Sequence, residues 1–379
     1  MLVRVTIVRD QVLFLAKAAT IAMRYSTVRR QSPIDPNQPE LKIIDHVTQQ
    51  MKTFPAIAKV FAIKAAADNL MSLYSQAMMD LERGNLDRLP EMHALSCCLK
   101  AISTDEVAQS VQICRLACGG HGYLNSSGFN DIYGFVVAAQ HYEGDNTIML
   151  LQTARYLMKS WSQTLKGEKL TPTVAYLEFY IKQSKKGENF DGSPKGILRA
   201  LQATAAGSVK STFKRLESLK KNGSSAGEAA NRCGVELAKT AEIHCQVFLL
   251  QSMIEMIENA TKVISPALAG VMSSLLDIYA TDLAIRMLGS LLQFVNMTSS
   301  DIENLQGRLE SAFKRFKNDA IGIVDGFDYP DRVISSTLGS YDGNVYERLL
   351  NAAKASPLNQ EDVNKSFDLY LKPFMKSNL

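Results

Sequence analysis

The chain has 379 residues, of which 46% are hydrophobic and 21% charged; these proportions are typical of a globular protein and argue against a disordered or membrane protein. Its 42 basic and 38 acidic residues are scattered, so the net charge of +4 forms no basic stripe of the kind that binds nucleic acid. The length allows two domains and a sizeable core.

The six cysteines and five histidines are dispersed along the chain, with no Cys-x-x-Cys pair and no metal-ligand spacing. This pattern predicts reduced, mostly buried thiols and argues against disulfides and zinc. We therefore expect no metal site.

The first segment, "MLVRVTIVRDQVLFLAKAATIAMRY", is basic and apolar. Charged residues such as Arg4, Arg9 and Asp10 interrupt it too often for a secretory signal or a membrane span. Its pattern predicts an amphipathic helix over residues 8–30, with a mitochondrial presequence as the alternative.

Helical periodicity then predicts three further helices, over residues 41–83, 91–116 and 146–161. Glycine and proline breaks separate them at 32–39, at 84–90 and across a glycine-rich loop. Four helices joined in this way predict an antiparallel bundle. Only "VRVTIV" and "GFVVAA" resemble strands, so the predicted fold class is all-α.

The glycine-rich loop belongs to the stretch "CGGHGYLNSSGFNDIYGFVVAAQHYEGDNTIMLLQTAR". It clusters three glycines near Cys118 and later places a single carboxylate, Glu143, between Tyr142 and Gly144. Glycines let the main chain approach a ligand closely. By spacing alone, a loop that ends a helix is the simpler interpretation.

Beyond the bundle the sequence predicts a first domain over residues 1–164, a linker over 165–196 and a second helical domain over 197–379. The linker contains the polar segments "LKGEKLTPT" and "KKGENFDGSPKG". Within the second domain, Ser265-Pro266 has the pattern of a helix start.

The last three residues, Ser377-Asn378-Leu379, resemble the Ser-Lys-Leu import signal, although Asn378 replaces the usual basic residue. They predict binding to a peroxisomal import receptor and a peroxisomal location. The alternative is a frayed terminus that ends in leucine by chance.

Four pieces, "RYSTVRRQS", "CGGHGY", "HYEGDNTIMLLQTARYLMK" and "SYDGNVYERLLNAAKASPLN", occur in this order. The set closely resembles the C-terminal half of peroxisomal acyl-CoA oxidases, the flavin-dependent oxidase branch of the acyl-CoA dehydrogenase superfamily. The resemblance implies a four-helix-bundle domain followed by a second helical oxidase domain. It also implies the FAD-dependent conversion of fatty acyl-CoA to trans-2-enoyl-CoA, with O2 reduced to H2O2.

By this resemblance Glu143 matches the catalytic base. Tyr142 and Gly144 are similar to residues beside the thioester, and Arg155 resembles an arginine that helps to hold CoA. Arg4 falls where the family has an arginine near the CoA adenine. Each arginine also has an ordinary interpretation as a charge on a helix surface.

The resemblance also assigns residues to FAD. Arg29 matches an arginine that reaches the pyrophosphate from the neighbouring subunit, which implies a homodimer. Cys118, Gly119 and Gly120 resemble the loop that meets the adenosine half of FAD. Three more residues open a helix whose N-terminus suits anionic groups: Asp145, Asn146 and Thr147.

Family members carry an N-terminal helical domain and a β-barrel domain before the "RYSTVRRQS" helix, whereas this sequence starts at that helix. A truncated gene model, an alternative product and a naturally short protein are all compatible with this. One rival function is therefore a catalytically incomplete helical partner that dimerises with a full-length oxidase. A second rival is a dehydrogenase that passes electrons to an electron-transfer flavoprotein.

Overall fold

The computed structural model describes residues 1–182 and 190–377. It is 77% helical and contains no β-strand in those ranges. The nearest approach to strand pairing is one isolated antiparallel bridge between Arg30 and Lys42. The prediction of an all-α protein is confirmed.

The helices of the first part surround the glycine-rich loop. They are α1 (Leu2–Val28), α2 (Val47–Glu82), α3 (Leu89–Ala117), α4 (Phe129–Ala138) and α5 (Asn146–Leu165), with 3-10 turns at Ile43–Asp45, Gly119–Tyr123 and Asn125–Ser127. Helix α1 packs against α2 and α3, and α3 packs against α5. Since α1 already buries Val5 and Val8 on its core face, it begins six residues before the predicted start. "VRVTIV" is therefore helical.

Helix α4 was not predicted. It buries Phe129, Ile132 and Val136, whose spacing of three and four residues places them on one face. The helix is preceded by Gly128, which has a φ of 77°. The strand-like "GFVVAA" belongs to α4 and its C-cap.

The second part is also helical. It comprises α6 (Tyr176–Lys182), α7 (Pro194–Lys221), α8 (Ala226–Arg232), α9 (Gly234–Ala260), α10 (Pro266–Arg286), α11 (Leu288–Leu291), α12 (Ser299–Phe316), α13 (Ala320–Asp325), α14 (Asp331–Ile334), α15 (Val345–Ala355) and α16 (Lys372–Ser377), with 3-10 turns at Pro172–Val174 and Pro357–Asn359 and a π-helical turn at Phe367–Leu371. The predicted start of α10 is confirmed, because the Ser265 side chain accepts a hydrogen bond from the Leu268 N–H.

The two parts share one hydrophobic core, which runs from Val5 to Val345. Helix α2 packs against α9 and α10, and α1 packs against α13. Part of the predicted linker, residues 183–189, lies outside the described residues, and Leu170 and Val174 of the same linker pack in a smaller apolar cluster. The domain limits 1–164, 165–196 and 197–379 stay a prediction.

A buried carboxylate joins α3 to both parts. Glu106 accepts hydrogen bonds from Gln246 Nε2 at 2.6 Å and Arg286 Nη1 at 3.3 Å, and Lys59 Nζ lies 3.6 Å away. Burial alone would raise the pKa of Glu106, but the charges of Arg286 and Lys59 lower it to about 2. The carboxylate therefore stays ionised. Its removal would leave the buried Lys59 ammonium group without an ion pair in the described chain, whereas Arg286 would keep its ion pair with Asp282.

Helix α10 is long and apolar enough to cross a membrane, with a mean hydropathy of 1.4 over its most apolar window. Of that window 56% is buried, and Leu275, Ile278 and Tyr279 are part of the main core. This burial is typical of a core helix. Of the predicted import signal, Asn378 and Leu379 lie outside the described residues.

Candidate active site

The loop that joins α4 to α5, residues 139–145, carries Glu143 in a left-handed backbone conformation. Its φ is 58°, and the φ of the next residue, Gly144, is 111°. This φ favours glycine at position 144, whereas the only close neighbour that an added methyl group would meet among the described residues is the flexible end of Met149, at 2.5 Å from Cε. The Glu143 side chain is exposed. The loop therefore presents a carboxylate on a strained backbone.

Two basic side chains from the helical bundle donate hydrogen bonds to this loop and hold it in place. Lys100 of α3 donates hydrogen bonds to the carbonyl oxygens of Gln140 at 3.1 Å and Gly144 at 2.7 Å. Arg4 of α1 donates from Nε to the Glu143 carbonyl oxygen at 3.0 Å. The carbonyl groups of Glu143 and its neighbours are thus fixed by side chains from two helices.

Other atoms of Glu143 remain available. Within residues 1–182 and 190–377, its backbone N–H has no hydrogen-bond acceptor, and its carboxylate has neither a hydrogen-bond donor nor an ion pair. A free N–H beside a free carboxylate can stabilise a negative oxygen while the carboxylate accepts a proton. This combination suits proton removal next to a carbonyl group.

The predicted substrate residues lie at different distances from this loop. The Tyr142 side chain is 49% exposed directly beside Glu143. Arg155 is exposed on α5, nine residues beyond Asn146 and so about 14 Å further along the helix axis. In the described part of the chain Arg155 has no hydrogen bond or ion pair. Arg4 contacts the loop itself.

A second group of predicted residues lines a cleft of about 400 Å³ where α1 and α3 end. Arg29, Cys118, Gly119 and Gly120 all belong to it. The cleft also contains Lys52, and its described lining residues include no carboxylate. An anionic ligand would therefore meet two cations and no acidic side chain here.

Local contacts fix the shape of this cleft. Gln49 Nε2 donates to Ser26 Oγ at 3.0 Å and to the Ala117 carbonyl oxygen at 2.9 Å, which ties the end of α1 to the end of α3. The Arg29 guanidinium donates to Gln31 Oε1 at 2.7 Å and to the Tyr346 hydroxyl at 3.4 Å. Arg29 is thereby held in place by neutral partners, and it forms no ion pair with another described residue.

Gly120 is informative about what this cleft can hold. Its φ is not positive, and a methyl group added to it would meet no atom of the described residues within 4 Å. Neither backbone conformation nor internal packing therefore requires glycine at this position. The lack of a side chain leaves room for a ligand beside the main chain, as an adenosine diphosphate group would need.

The predicted residues at the start of α5 lie elsewhere. Asp145, Asn146 and Thr147 line another cleft, of about 480 Å³, with acidic side chains that include Asp105 and Glu242. Asp145 caps α5 by accepting a hydrogen bond from the Thr147 N–H at 2.9 Å. This cleft suits an anion less well than the one at Arg29.

Asn146 is engaged inside the protein. Its Nδ2 donates to the Ala101 carbonyl oxygen at 3.0 Å and to Thr104 Oγ1 at 2.9 Å, while its Oδ1 accepts from Lys100. Its side chain therefore joins α5 to α3.

The Glu143 loop and the Arg29 cleft lie at opposite ends of α1. Arg4, which contacts Glu143, is separated from Arg29 by 25 positions, or about 38 Å along the helix. This is longer than an extended flavin dinucleotide. A single copy of the chain therefore does not bring both groups to one such ligand.

The described residues contain no group of three or more His, Cys, Asp or Glu side chains that could hold a metal ion. All six cysteines are buried and unpaired. Burial raises the pKa of the Cys114 thiol to about 12, which keeps it protonated at neutral pH.

Sequence reasoning did not identify Lys100 or Tyr346 as part of these sites. Lys100 is the one charged residue in "SCCLKAIST", an otherwise uncharged stretch of a helix, and this isolation was an available signal of a buried lysine. Tyr346 lies in the quoted "SYDGNVYERLL" piece, but no local pattern connects it with Arg29. Only the packing of α15 near the end of α1 does so.

Comparison with known proteins identifies the family. A model of the acyl-CoA oxidase C-alpha1 domain matches residues 1–158, and an acyl-CoA oxidase model matches residues 193–376. Acyl-coenzyme A oxidase 1 of Drosophila melanogaster is 49% identical over 379 residues, which are 100% of this chain and 56% of that protein. Peroxisomal acyl-coenzyme A oxidase 1 of Bos taurus is 35% identical over 373 residues, 96% of this chain and 56% of that protein.

A solved structure agrees with these sequence matches. Acyl-CoA oxidase-2 of Caenorhabditis elegans, bound with FAD, ascaroside-CoA and ATP, has a TM-score of 0.93 and 32% identity, over 99% of this chain and 56% of that chain. The chain thus spans about half the length of the relatives that it matches, and the matched part is their C-terminal half. The chain belongs to the acyl-CoA oxidase family.

Proposed function

We propose that this chain provides the C-terminal half of a peroxisomal acyl-CoA oxidase, which converts a fatty acyl-CoA to its trans-2-enoyl-CoA. The observation that carries the proposal is the Glu143 loop, which combines a free carboxylate with a free backbone N–H. The names of the relatives support the substrate class and the peroxisomal location.

In this reaction Glu143 removes a proton from the α-carbon of the thioester. The α-proton becomes acidic enough only when the charge that develops on the thioester oxygen is stabilised, and the Glu143 N–H is one donor for that charge. Tyr142 and Gly144 lie at the edges of the space beside the thioester. The exposed Arg155 offers a cation to the phosphate groups of CoA.

The cofactor is FAD, which when bound would supply the acceptor for the hydride of the β-carbon and a route for its two electrons to O2, which would give H2O2. Arg29 and Lys52 supply positive charge for the pyrophosphate, and Gly119 and Gly120 leave the main chain accessible to the adenosine. Asp145, Asn146 and Thr147 act indirectly, by fixing the start of α5 behind the catalytic loop.

The protein acts as a homodimer in this proposal. Because the Glu143 loop and Arg29 lie about 38 Å apart along α1, the Arg29 that serves one flavin comes from the other subunit. The peroxisomal import receptor recognises the C-terminal tripeptide.

The first test is the mass and absorption spectrum of the protein purified after expression from its complete gene. We expect a flavin spectrum that is bleached by acyl-CoA without O2, and peroxide production when O2 is present. The rival function, a catalytically incomplete partner of a full-length oxidase, predicts no flavin and no bleaching. Dye reduction by acyl-CoA without peroxide formation would instead indicate a dehydrogenase.

The second test is Glu143→Gln. It keeps the size of the side chain but removes the proton acceptor, so we expect turnover to fall by about 10²–10⁴-fold or more while acyl-CoA still binds. The melting temperature should stay close to that of the parent, because the carboxylate makes no contact that stabilises the described fold.

A matched control is Glu217→Gln, which changes a partly exposed carboxylate on α7 whose one ion-pair partner among the described residues is Lys220. It should keep the parental rate. If Glu143→Gln also bleaches the flavin at the parental rate, Glu143 is a structural residue of the loop and the assignment is wrong.

A further inference from the structure

Lys100 is a completely buried lysine whose three ammonium hydrogens all have acceptors. Its side chain is 0% exposed, and Nζ donates to the Gln140 carbonyl at 3.1 Å, the Gly144 carbonyl at 2.7 Å and Asn146 Oδ1 at 2.9 Å. All three acceptors belong to the segment that leads from α4 into α5. A residue of α3 thus binds both sides of Glu143.

This arrangement is costly for a residue that only fills space. Burying an ammonium group carries a large desolvation penalty, and Lys100 forms no ion pair within 4 Å in the described chain. The charged and titratable groups that face it are Asp145 and Glu143 from the loop, Arg4 from α1 and Cys97 from α3. Burial is the main cause that lowers the pKa of Lys100, to about 8.

The loop that Lys100 binds is strained. A non-glycine residue with a positive φ costs about 1 kcal/mol or more, and Glu143 is followed by Gly144, whose φ is also positive. Such a conformation persists only when its surroundings fix it. Lys100 fixes the carbonyl groups at Gln140 and Gly144, and Arg4 fixes the one between them.

We propose that Lys100 is a positioning residue, whose buried ammonium group binds the carbonyl oxygens on both sides of Glu143 and so aims the Glu143 carboxylate and N–H at the thioester. This role rests on the proposed oxidase function. Lys100 itself contacts neither substrate nor cofactor in this proposal. It acts by holding three acceptors that no neutral side chain of similar length can satisfy together, since glutamine has only two donor hydrogens.

The proposal is tested with Lys100→Met, which keeps the length of the side chain but has no donor. We expect kcat to fall about 10- to 100-fold with a smaller change in KM, because the loop folds but no longer holds one geometry. Amides of residues 140–146 should exchange with D2O at least about tenfold faster, while amides of α1 should keep their protection.

The matched control is Lys59→Met. Lys59 is also a buried lysine of the bundle, but it contacts Glu106 and Ser110 and not the catalytic loop. Its replacement should lower the melting temperature, leave exchange in residues 140–146 unchanged and keep kcat within about twofold of the parent. Equal loss of kcat in both variants would mean that Lys100 is merely structural.

The pH dependence of amide exchange and of kcat in the parent protein provides a second test. Above a pH of about 8 the Lys100 ammonium group loses one donor hydrogen, so three acceptors compete for two donors. Exchange in residues 140–146, corrected for the intrinsic rate, should therefore accelerate between pH 7 and 9, and kcat should fall over the same range. In Lys100→Met both changes should be absent.

The outcomes separate the two proposals. An active parent whose Lys100→Met variant keeps its kcat and its loop protection would overturn the positioning role alone. A flavin-containing parent that does not turn over acyl-CoA would overturn the oxidase function and the positioning role with it. The exchange measurement would then still report whether Lys100 orders the loop.

Discussion

The glycines of "CGGHGY" are present for different physical reasons. Gly119 has a φ of 59°, which favours glycine. At Gly122 an added methyl group would overlap the Arg115 carbonyl oxygen, so packing against the end of α3 requires glycine. Gly120 meets neither condition. Residues that are alike in the sequence thus divide into two that serve the fold and one that is available to a ligand.

This difference predicts opposite effects of two alanine substitutions. Gly120→Ala should leave the melting temperature within about 2 °C of the parent but lower the affinity for FAD, because its methyl group enters the cleft at Arg29. Gly122→Ala should lower the stability by about 1–3 kcal/mol, since the turn after α3 must shift. Thermal melting and flavin titration of the apoprotein measure both effects.

Either variant could contradict its prediction, and each contradiction has a definite meaning. If Gly120→Ala binds FAD as tightly as the parent, the cleft at the ends of α1 and α3 is not the adenosine site. If Gly122→Ala melts like the parent, the turn adapts more easily than its contact with Arg115 indicates.

From the sequence, the exposed residue Glu143 could be identified as a candidate site residue, but the buried residue Lys100, which holds its loop in place, could not. Glu143 could be identified because its position in the piece "HYEGDNTIMLLQTARYLMK" matches the catalytic base of the family. Lys100 could not, because its function depends on three acceptors that lie 40 to 46 positions away in the chain. Local patterns carry no information about such partners.

At the scale of secondary structure, periodicity predicted the four long helices of the first part, with ends that differ from the structure by up to six residues. It failed for α4, since glycines and aromatic residues surround a helix of only 10 residues. It also placed the start of α1 too late, because the charges of Arg4 and Arg9 obscured the buried valines. Both errors come from judging short segments without the helices that cover them.

A buried histidine makes the contact between α9 and the start of α6 sensitive to acid. His244 is 2% exposed, and its Nδ1 lies 2.9 Å from the Tyr176 hydroxyl. Burial lowers the pKa of His244 from 6.5 to about 4. Between these two values the unfolded chain binds more protons than the folded chain, so stability falls as the pH falls through this range.

We therefore expect His244 to cost the parent roughly 2 kcal/mol of stability between pH 7.5 and pH 5. His244→Gln should lack this loss, whereas Tyr176→Phe should retain it, because burial and not the hydroxyl is the cause of the shift. Urea unfolding at the two pH values measures the difference. An equal loss in the parent and in His244→Gln would show that other groups determine the acid sensitivity.

At the scale of the whole molecule, one core joins both parts of the chain, while the two candidate sites lie at opposite ends of α1. The resemblance already predicts that Arg29 serves the flavin of the neighbouring subunit. The distance itself could not be predicted, because the sequence placed the start of α1 at residue 8 and so left Arg4 outside the helix. The length of α1 agrees with the proposal that each chain contributes Glu143 to one site and Arg29 to another. In that proposal a complete site requires two copies of the chain.

Hybrid dimers test whether the site is completed across the dimer. In a dimer of one Arg29→Ala chain and one Glu143→Gln chain, one site combines the intact Glu143 of the first with the intact Arg29 of the second, and the other site carries both lesions. Random mixing makes about half of the dimers hybrids, so co-expression should restore about a quarter of the parental rate, although each variant alone is nearly inactive. If both residues served a site on one chain, every site would keep one lesion and the mixture would stay inactive. Peroxide production by the co-expressed pair, compared with each variant alone, distinguishes the two arrangements.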